Sequence, residues 1–118
     1  MTTITPAATL SLKDTSLSPN PNPVPFAGVG VVCPVGALAQ DVVLPAATAG
    51  ASLPFPSGVT TGKIVALYAA TLADLIVTYK GQTHAVPLGQ PFFLYNALAS
   101  DITISTAIGG KLTCVVGG

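Results

Sequence analysis

Residues Ala73 to Gly118 read ADLIVTYKGQTHAVPLGQPFFLYNALASDITISTAIGGKLTCVVGG. Short runs rich in Val, Ile, Thr, Tyr and Phe alternate there with turn signals such as Lys80-Gly81 and Gly109-Gly110. Runs of this composition between turns are typical of consecutive antiparallel strands. Glycine supplies the positive φ that a tight hairpin turn requires. The stretch therefore predicts an all-β chain in which successive strands are joined by hairpins.

The preceding segment, Lys63–Val77, is compatible with two structures. Its larger side chains recur at helical spacing, yet the same residues also form two β-like runs with a small-residue break between them. Periodicity alone does not separate a helix from strands in short apolar runs. We predict a strand over 63–69, a connection over 70–73 and a strand over 74–80. A helix remains the alternative, with a stripe made of Ile64, Leu67, Tyr68, Leu72, Leu75 and Ile76.

The earlier part of the chain adds two further strands to the predicted body. We expect a strand over Phe26–Cys33, a turn region over Pro34–Ala39, a strand over Gln40–Leu44 and a long loop over Ala46–Gly62. With the C-terminal runs, residues 26–118 would hold about eight strands, a number that suits a sandwich or a jelly roll. The predicted fold is an antiparallel β-sandwich or a jelly-roll-like barrel.

Residues 1–25 are predicted to form an extended N-terminal arm. Proline stands at every second position from 19 to 25, which forbids a helix and discourages regular strand pairing. Thr9–Leu12 alternates polar and apolar residues and predicts a short strand, which could add to the sheet edge of another chain. The alternatives are that the segment folds back on its own body as an edge strand, or that it is simply disordered. The arm residues expected to contact a partner are Thr9, Leu10, Leu12, Pro19, Pro21 and Pro23.

The charge content is unusually low. Four lysines balance four aspartates, Arg and Glu are absent, and only 7% of residues are charged, against roughly 25% in an average domain. Zero net charge favours association, and four scattered lysines do not form the basic patch that nucleic acid requires. The longest apolar run, Ile64–Val77, is shorter than the roughly 20 residues of a spanning helix. We therefore expect protein partners, with no nucleic acid and no membrane.

No grouping of residues predicts catalysis, a cofactor or a metal. His84 is the single histidine, and no second catalytic partner lies near it in the sequence. The aspartates lack the spacing of a calcium loop. Cys33 and Cys114 are too few for a structural zinc site. We expect both to be buried thiols, with a disulfide as the alternative. The chain is not expected to be an enzyme.

Phe92 and Phe93 are the candidate contact residues of the body. Neighbouring side chains on a strand point to opposite faces, so the two rings do not enter the same core. Either both faces of this strand are covered by the protein itself, or one ring is presented to a partner.

Four runs, GKIVALYAA, DLIVTYKG, PLGQPFFLYN and DITISTAIGGKLTCVVGG between Gly62 and Gly118, together resemble small virion proteins of tailed bacteriophages, the head decoration or cement type in particular. The resemblance implies a homo-oligomer, often a trimer, that binds the major capsid protein on the capsid surface. The Pro-rich arm fits a tail or head-fibre component equally well. A sandwich module that binds glycans or a cell surface is the third reading.

Overall fold

The computed structural model describes residues 2–10, 24–27 and 30–118. Their regular secondary structure is all strand apart from one 3₁₀ turn at Ala99–Asp101. The all-β prediction is therefore confirmed. The strands are β1 (Thr2–Ile4), β2 (Ala7–Leu10), β3 (Val24–Ala27), β4 (Val31–Cys33), β5 (Ala37–Leu44), β6 (Thr48–Ala51), β7 (Thr61–Tyr68), β8 (Leu75–Tyr79), β9 (Gln82–Val86), β10 (Pro91–Leu98), β11 (Ile102–Thr106) and β12 (Gly110–Gly117).

Strands β5 to β12 form two four-stranded antiparallel sheets. Sheet I has the order β10-β7-β12-β5, and sheet II has the order β6-β11-β8-β9. The pairing is nested: the first of these eight strands pairs with the last, the second with the seventh, the third with the sixth and the fourth with the fifth. A long hairpin wound in this way is a jelly roll. The strand order thus selects the jelly roll among the predicted all-β folds.

The core lies between the two sheets. It follows strand alternation, because every second side chain of the central strands points to the opposite sheet. Thr106 is the one buried polar side chain among the described residues, and no charged side chain there is buried. The fully buried members of this core with the largest side chains include Val65, Leu67, Leu72, Leu75, Val77, Ile102, Ile104, Leu112 and Val116.

The ambiguous segment forms strands. Strand β7 covers 61–68 and β8 covers 75–79, so the two-strand prediction is confirmed and the helical alternative is wrong. The reason is tertiary: β7 lies between β10 and β12, and β8 lies between β11 and β9. Ladders on both sides satisfy their backbone groups and override the helical spacing of the apolar residues. The hairpin at Lys80-Gly81 is also present, with positive φ of 50° and 78° at its two residues.

The first half differs from the prediction at three points. Strand β5 begins at Ala37, inside the predicted turn region, because residues 37–39 pair with the last residues of β12. Strand β6 lies inside the predicted loop over Ala46–Gly62 and pairs with β11. The single strand predicted over Phe26–Cys33 is β4 at one end and part of β3 at the other. Small residues give β6 little intrinsic β propensity, so its partner strand decides it.

The N-terminal strands pair within the chain. Strand β1 pairs with β4, and β2 pairs with β3, each pair forming a separate two-stranded sheet. Thr9 and Leu10 lie in β2. The remaining arm candidates, Leu12, Pro19, Pro21 and Pro23, lie outside the described residues. The division into an arm over 1–25 and a body over 26–118, and the contact of the arm with another chain, remain predictions.

The Asp74 side chain stabilises the turn between β11 and β12 by hydrogen bonds. Its carboxylate accepts hydrogen bonds from the Thr106 hydroxyl, from the Ala107 N–H at 2.8 Å and from the Ile108 N–H at 3.2 Å. The Thr106 hydroxyl in turn accepts from the Gly109 N–H at 3.0 Å. The bond from Thr106, with the backbone bonds from Ala107 and Ile108, lowers the pKa of Asp74 below its ordinary value, against a smaller opposing effect of burial.

This arrangement predicts a stability difference that depends on pH. A carboxyl group whose pKa is lower in the folded state stabilises the fold above its unfolded pKa of about 3.9, and this stabilisation is lost as pH falls through the folded pKa. Asp74→Asn should therefore lower the melting temperature at pH 7, and the difference from the parent chain should shrink below pH about 4. Asp101→Asn, at the other end of β11, is the control. An equal difference at pH 7 and pH 2.5 would contradict the role given to the carboxylate.

Candidate interaction surface

The outward-facing side of sheet I, here called the outer face, is the candidate site. Phe92 and Leu94 of β10 pack against the core, so alternation turns Phe93 and Tyr95 outward. Phe93 is 37% exposed and Tyr95 is 52% exposed. The strand register then assigns the facing residues of the other three strands. The outer face consists of Pro91, Phe93 and Tyr95 on β10, Tyr68, Ala66 and Ile64 on β7, Lys111, Thr113, Val115 and Gly117 on β12, and Val43, Asp41, Ala39 and Ala37 on β5.

The middle row across the outer face is apolar. Register places Phe93 opposite Ala66, Ala66 opposite Val115, and Val115 opposite Ala39. These four residues contain no polar side-chain atom, and Ala39 is exposed. The two rows that flank this apolar row each contribute one phenol ring. Tyr95 lies in one of them, and Tyr68, whose side chain is 46% exposed, lies in the other. Exposed aromatic side chains around an apolar centre are typical of protein interfaces.

One rim of the outer face is polar. Asp41 accepts a hydrogen bond of 2.7 Å from the Thr113 hydroxyl, and the Lys111 ammonium lies 3.6 Å from the second carboxylate oxygen. The Thr113 bond first, and the Lys111 charge second, lower the pKa of Asp41 below its ordinary value. The carboxylate and ammonium are solvent-exposed and paired, so this rim presents fixed hydrogen-bonding groups with no net charge.

The other end of the outer face is covered by the chain itself. Ile64 is fully buried although it lies on this side of sheet I, and Cys33 of β4 is buried beside it. A Cβ atom at Gly117 would lie 2.8 Å from Ile4 Cδ1 and would also collide with Cys33 Sγ. The Lys63 ammonium donates to the Val32 carbonyl oxygen at 3.4 Å. The β1–β4 pair therefore covers Ile64 and Gly117. Tyr95, at the end of the same row, stays exposed, as do the rows of Phe93 and Tyr68.

Sheet II presents a different outward side. Thr78 pairs with Thr83 on one flank and with Thr103 on the other, which makes a row of three hydroxyl side chains across the sheet. The next row holds Ile76 and Ser105, whose hydroxyl accepts from the Gly50 N–H at 3.0 Å. The side is hydroxyl-rich and carries no aromatic ring of the kind that marks the outer face.

The two candidate rings of the body are thus separated as alternation predicts: Phe92 packs on the core and Phe93 is exposed. Sequence reasoning did not find the rest of the outer face. Tyr95 lies two residues after Phe93 on the same strand, so alternation alone predicts that both rings point to the same side of the sheet. Tyr68, Val115 and Ala39 belong to other strands, and only the register brings them beside Phe93.

The two cysteines are buried and free, which confirms the prediction of two thiols. They lie on opposite sides of sheet I. Cys114 is in the core between the two sheets, and the side chain of Cys33, the last residue of β4, lies against Gly117 on the outer face. Burial raises the pKa of the Cys114 thiol, which keeps the thiol protonated and weakly reactive.

His84 lies on the edge strand β9, opposite Val77. Its ring centroid is 5.4 Å from that of Phe92, in a tilted arrangement at the open edge between the sheets, and the residue is exposed. We expect His84→Gln to leave assembly intact and to change the free energy of unfolding by less than about 1 kcal/mol. Thermal unfolding and sedimentation of the variant measure both. Loss of a defined enzymatic turnover in this variant would contradict the prediction that the chain is not an enzyme.

Within residues 2–10, 24–27 and 30–118, no three His, Cys, Asp or Glu side chains gather closely enough to hold a metal ion. No helix in the described part of the chain is long and apolar enough to cross a membrane. The chain matches no known protein family, no curated protein and no solved structure.

Proposed function

We propose that this chain is a structural subunit of a virus particle, which assembles with copies of itself and decorates or cements a bacteriophage capsid. The observation that carries the proposal is the open outer face, where Phe93, Tyr68 and Tyr95 are exposed around an apolar row. Apolar side chains in such an array favour burial against another protein surface. The jelly-roll strand order supports the proposal, because viral capsid domains are among the proteins built on it.

The charge content supports the same proposal. A subunit with 7% charged residues and no net charge meets little electrostatic repulsion from copies of itself. Close packing in a particle puts identical surfaces side by side, where a strong net charge would oppose assembly. The major capsid protein is the second proposed partner, and the capsid surface is the proposed location.

The test is binding to heads. Purified chain is added to phage heads that lack it, and the pelleted heads are assayed for bound protein and for resistance to heat. We expect stoichiometric binding and a higher temperature of head disruption. Phe93→Ser should lower binding, and Leu88→Ser, which removes a more exposed apolar side chain away from the outer face, should not. Absence of binding by the parent chain to any head tested would overturn the decoration role.

A second candidate function is glycan or cell-surface binding by the same face. Exposed Tyr68 and Tyr95 favour it, because aromatic rings with a polar tip suit amphipathic ligands, and lectins also use jelly rolls. Glycan-array binding by the parent chain, abolished by Tyr95→Ala and unaffected by Leu88→Ser, would support this candidate over the capsid role.

A further inference from the structure

Each four-stranded sheet ends in two edge strands. In the part of the chain that the structure describes, these are β10 and β5 in sheet I and β6 and β9 in sheet II. An edge strand directs the N–H and C=O groups of every second residue away from its neighbour, which makes it a template for a further strand. Native proteins weaken such edges by shortness, proline, bulges or charged side chains.

Three of these edges are short or interrupted. Strand β6 has four residues, and its register against β11 shifts between Ile104 and Thr106. Strand β9 has five residues. Strand β10 begins with Pro91, which has no N–H to donate. Asn96 of β10 has a positive φ of 52° and is absent from the ladder with β7. A regular strand therefore pairs poorly with any of the three.

Strand β5 has none of these features. It has eight residues, and its register against β12 runs without a shift along the whole strand. It contains neither proline nor lysine, and its one charged side chain, Asp41, is already paired with Lys111 of the neighbouring strand. Five of its residues are exposed, among them Val43 at 75%. Strand β5 is therefore the one long, regular and accessible edge among the described strands.

The sequence of β5, ALAQDVVL, is complementary to itself in the antiparallel direction. A two-fold axis perpendicular to the sheet keeps outward side chains outward, so residues of the same parity stand opposite each other in the two copies. Two such registers use almost the whole strand, one centred on Gln40 and the other on Asp41. The second register places two carboxylates directly opposite each other, which is unfavourable. The Gln40 register is therefore favoured.

The Gln40 register also brings suitable side chains together. Gln40 is exposed and lies on the axis. Its amide both donates and accepts, so it matches the same amide of the second copy. In every other pair, at least one of the two opposing side chains is apolar, and no carboxylate meets a carboxylate. These pairs are Asp41 with Ala39, Val43 with Ala37, and Val42 with Leu38, each formed across the two copies.

We propose that β5 of one copy pairs antiparallel with β5 of a second copy, which joins the two copies of sheet I into one continuous sheet. Backbone hydrogen bonds along such an added strand supply the affinity. The contact is isologous, so it closes at two copies. Both outer faces lie on the same side of the joined sheet and remain available to another partner. The proposal rests on the proposed function only in requiring self-assembly, and it adds a contact distinct from the outer face.

Charge exchange at the axis tests the proposal. Gln40→Lys and Gln40→Glu are prepared as full chains, one of them labelled with heavy isotopes. Native mass spectrometry at low salt, where charges are least screened, counts the dimers formed by each variant alone and by an equimolar mixture. The matched control pair is Thr83→Lys and Thr83→Glu, at an exposed position on the edge strand β9. Thermal unfolding of each variant monitors the subunit itself.

We expect each Gln40 variant alone to dimerise about fivefold more weakly than the parent chain, because two like charges then stand opposite each other. In the Gln40 mixture, mixed dimers should outnumber the two kinds of like dimer together by at least about threefold, because opposite charges then meet at the axis. Random pairing, expected for the Thr83 mixture, gives equal numbers. Equal numbers in the Gln40 mixture would overturn the proposal, since a contact through the outer face pairs the variants at random.

Two further outcomes separate this contact from the proposed function. If the parent chain assembles but the Gln40 mixture pairs at random, the edge contact fails and self-assembly stands. If the parent chain stays monomeric up to about 100 µM, self-assembly fails and the edge contact fails with it. A loss of subunit stability in a Gln40 variant does not imitate the expected result, because it removes like and mixed dimers alike.

Discussion

Phe93→Ser is expected to weaken self-association about 30-fold, which corresponds to the roughly 2 kcal/mol that an aromatic contact at the centre of an interface contributes. The folded subunit should lose only about 1 kcal/mol, because the Phe93 ring is on the outer face and not in the core. Sedimentation velocity over a dilution series measures the association, and urea unfolding of the dissociated chain measures the fold.

Two further variants make this result specific. Phe92→Ala truncates the ring that packs on the core and should cost about 3 kcal/mol of unfolding free energy. Leu88→Ser removes an apolar side chain that is 54% exposed in the turn before β10, and it should change neither quantity. If Phe93→Ser and Phe92→Ala destabilise the subunit equally and Phe93→Ser leaves association unchanged, the outer face is not a contact.

Gly109→Ala is expected to cost about 3 kcal/mol or more, since a strained backbone and a collision add. Gly109 has φ of 88°, and a Cβ atom there would lie 2.7 Å from the Ala46 nitrogen and 2.9 Å from the Leu44 carbonyl oxygen. Both atoms belong to backbone, which does not move aside as a flexible side chain does. The turn that this glycine makes joins β11 to β12, which are central strands of different sheets.

Gly81→Ala is the matched control for that prediction. Gly81 has φ of 78°, but a Cβ atom there meets no atom within 4 Å. The backbone strain is therefore similar and the collision is absent, so the cost should be about 1 kcal/mol. Thermal unfolding of the two variants side by side separates the two contributions. Equal losses of unfolding free energy in the two variants would show that the collision of a Cβ atom at Gly109 with the backbone of Leu44 and Ala46 does not contribute to the destabilisation.

Much of the fold follows from the sequence where composition and turn chemistry agree. Strands β8 to β12 are mostly runs rich in β-branched or aromatic residues, and glycine turns join β8 to β9, β9 to β10 and β11 to β12. Local signals suffice for them. Strand β6 is built from threonine, alanine and glycine, and β5 begins with Ala-Leu-Ala. Both segments become strands through their pairing with β11 and β12. Pattern reasoning has no access to such long-range pairing, because it reads only neighbours in the chain.

The composition of the outer face also depends on long-range pairing that the sequence pattern does not reveal. Alternation separates Phe92 from Phe93, but it does not decide which ring enters the core. Tyr68 and Val115 join Phe93 only through the register of two other strands. That Ile64 is buried on the outward side depends on the β1–β4 pair, whose partners are far apart in the sequence. A periodic pattern identifies the members of a face, and tertiary pairing decides which faces remain open.

Sedimentation equilibrium of the unmodified full chain tests the central claim most directly. The claim is that the open outer face drives self-assembly. At about 1–100 µM, a range in which contacts of about 5–8 kcal/mol hold partners together, we predict a mass that is a small multiple of the 11.7 kDa of one chain. The mass should fall toward that of one chain on dilution. A mass of 11.7 kDa throughout this concentration range would contradict the account.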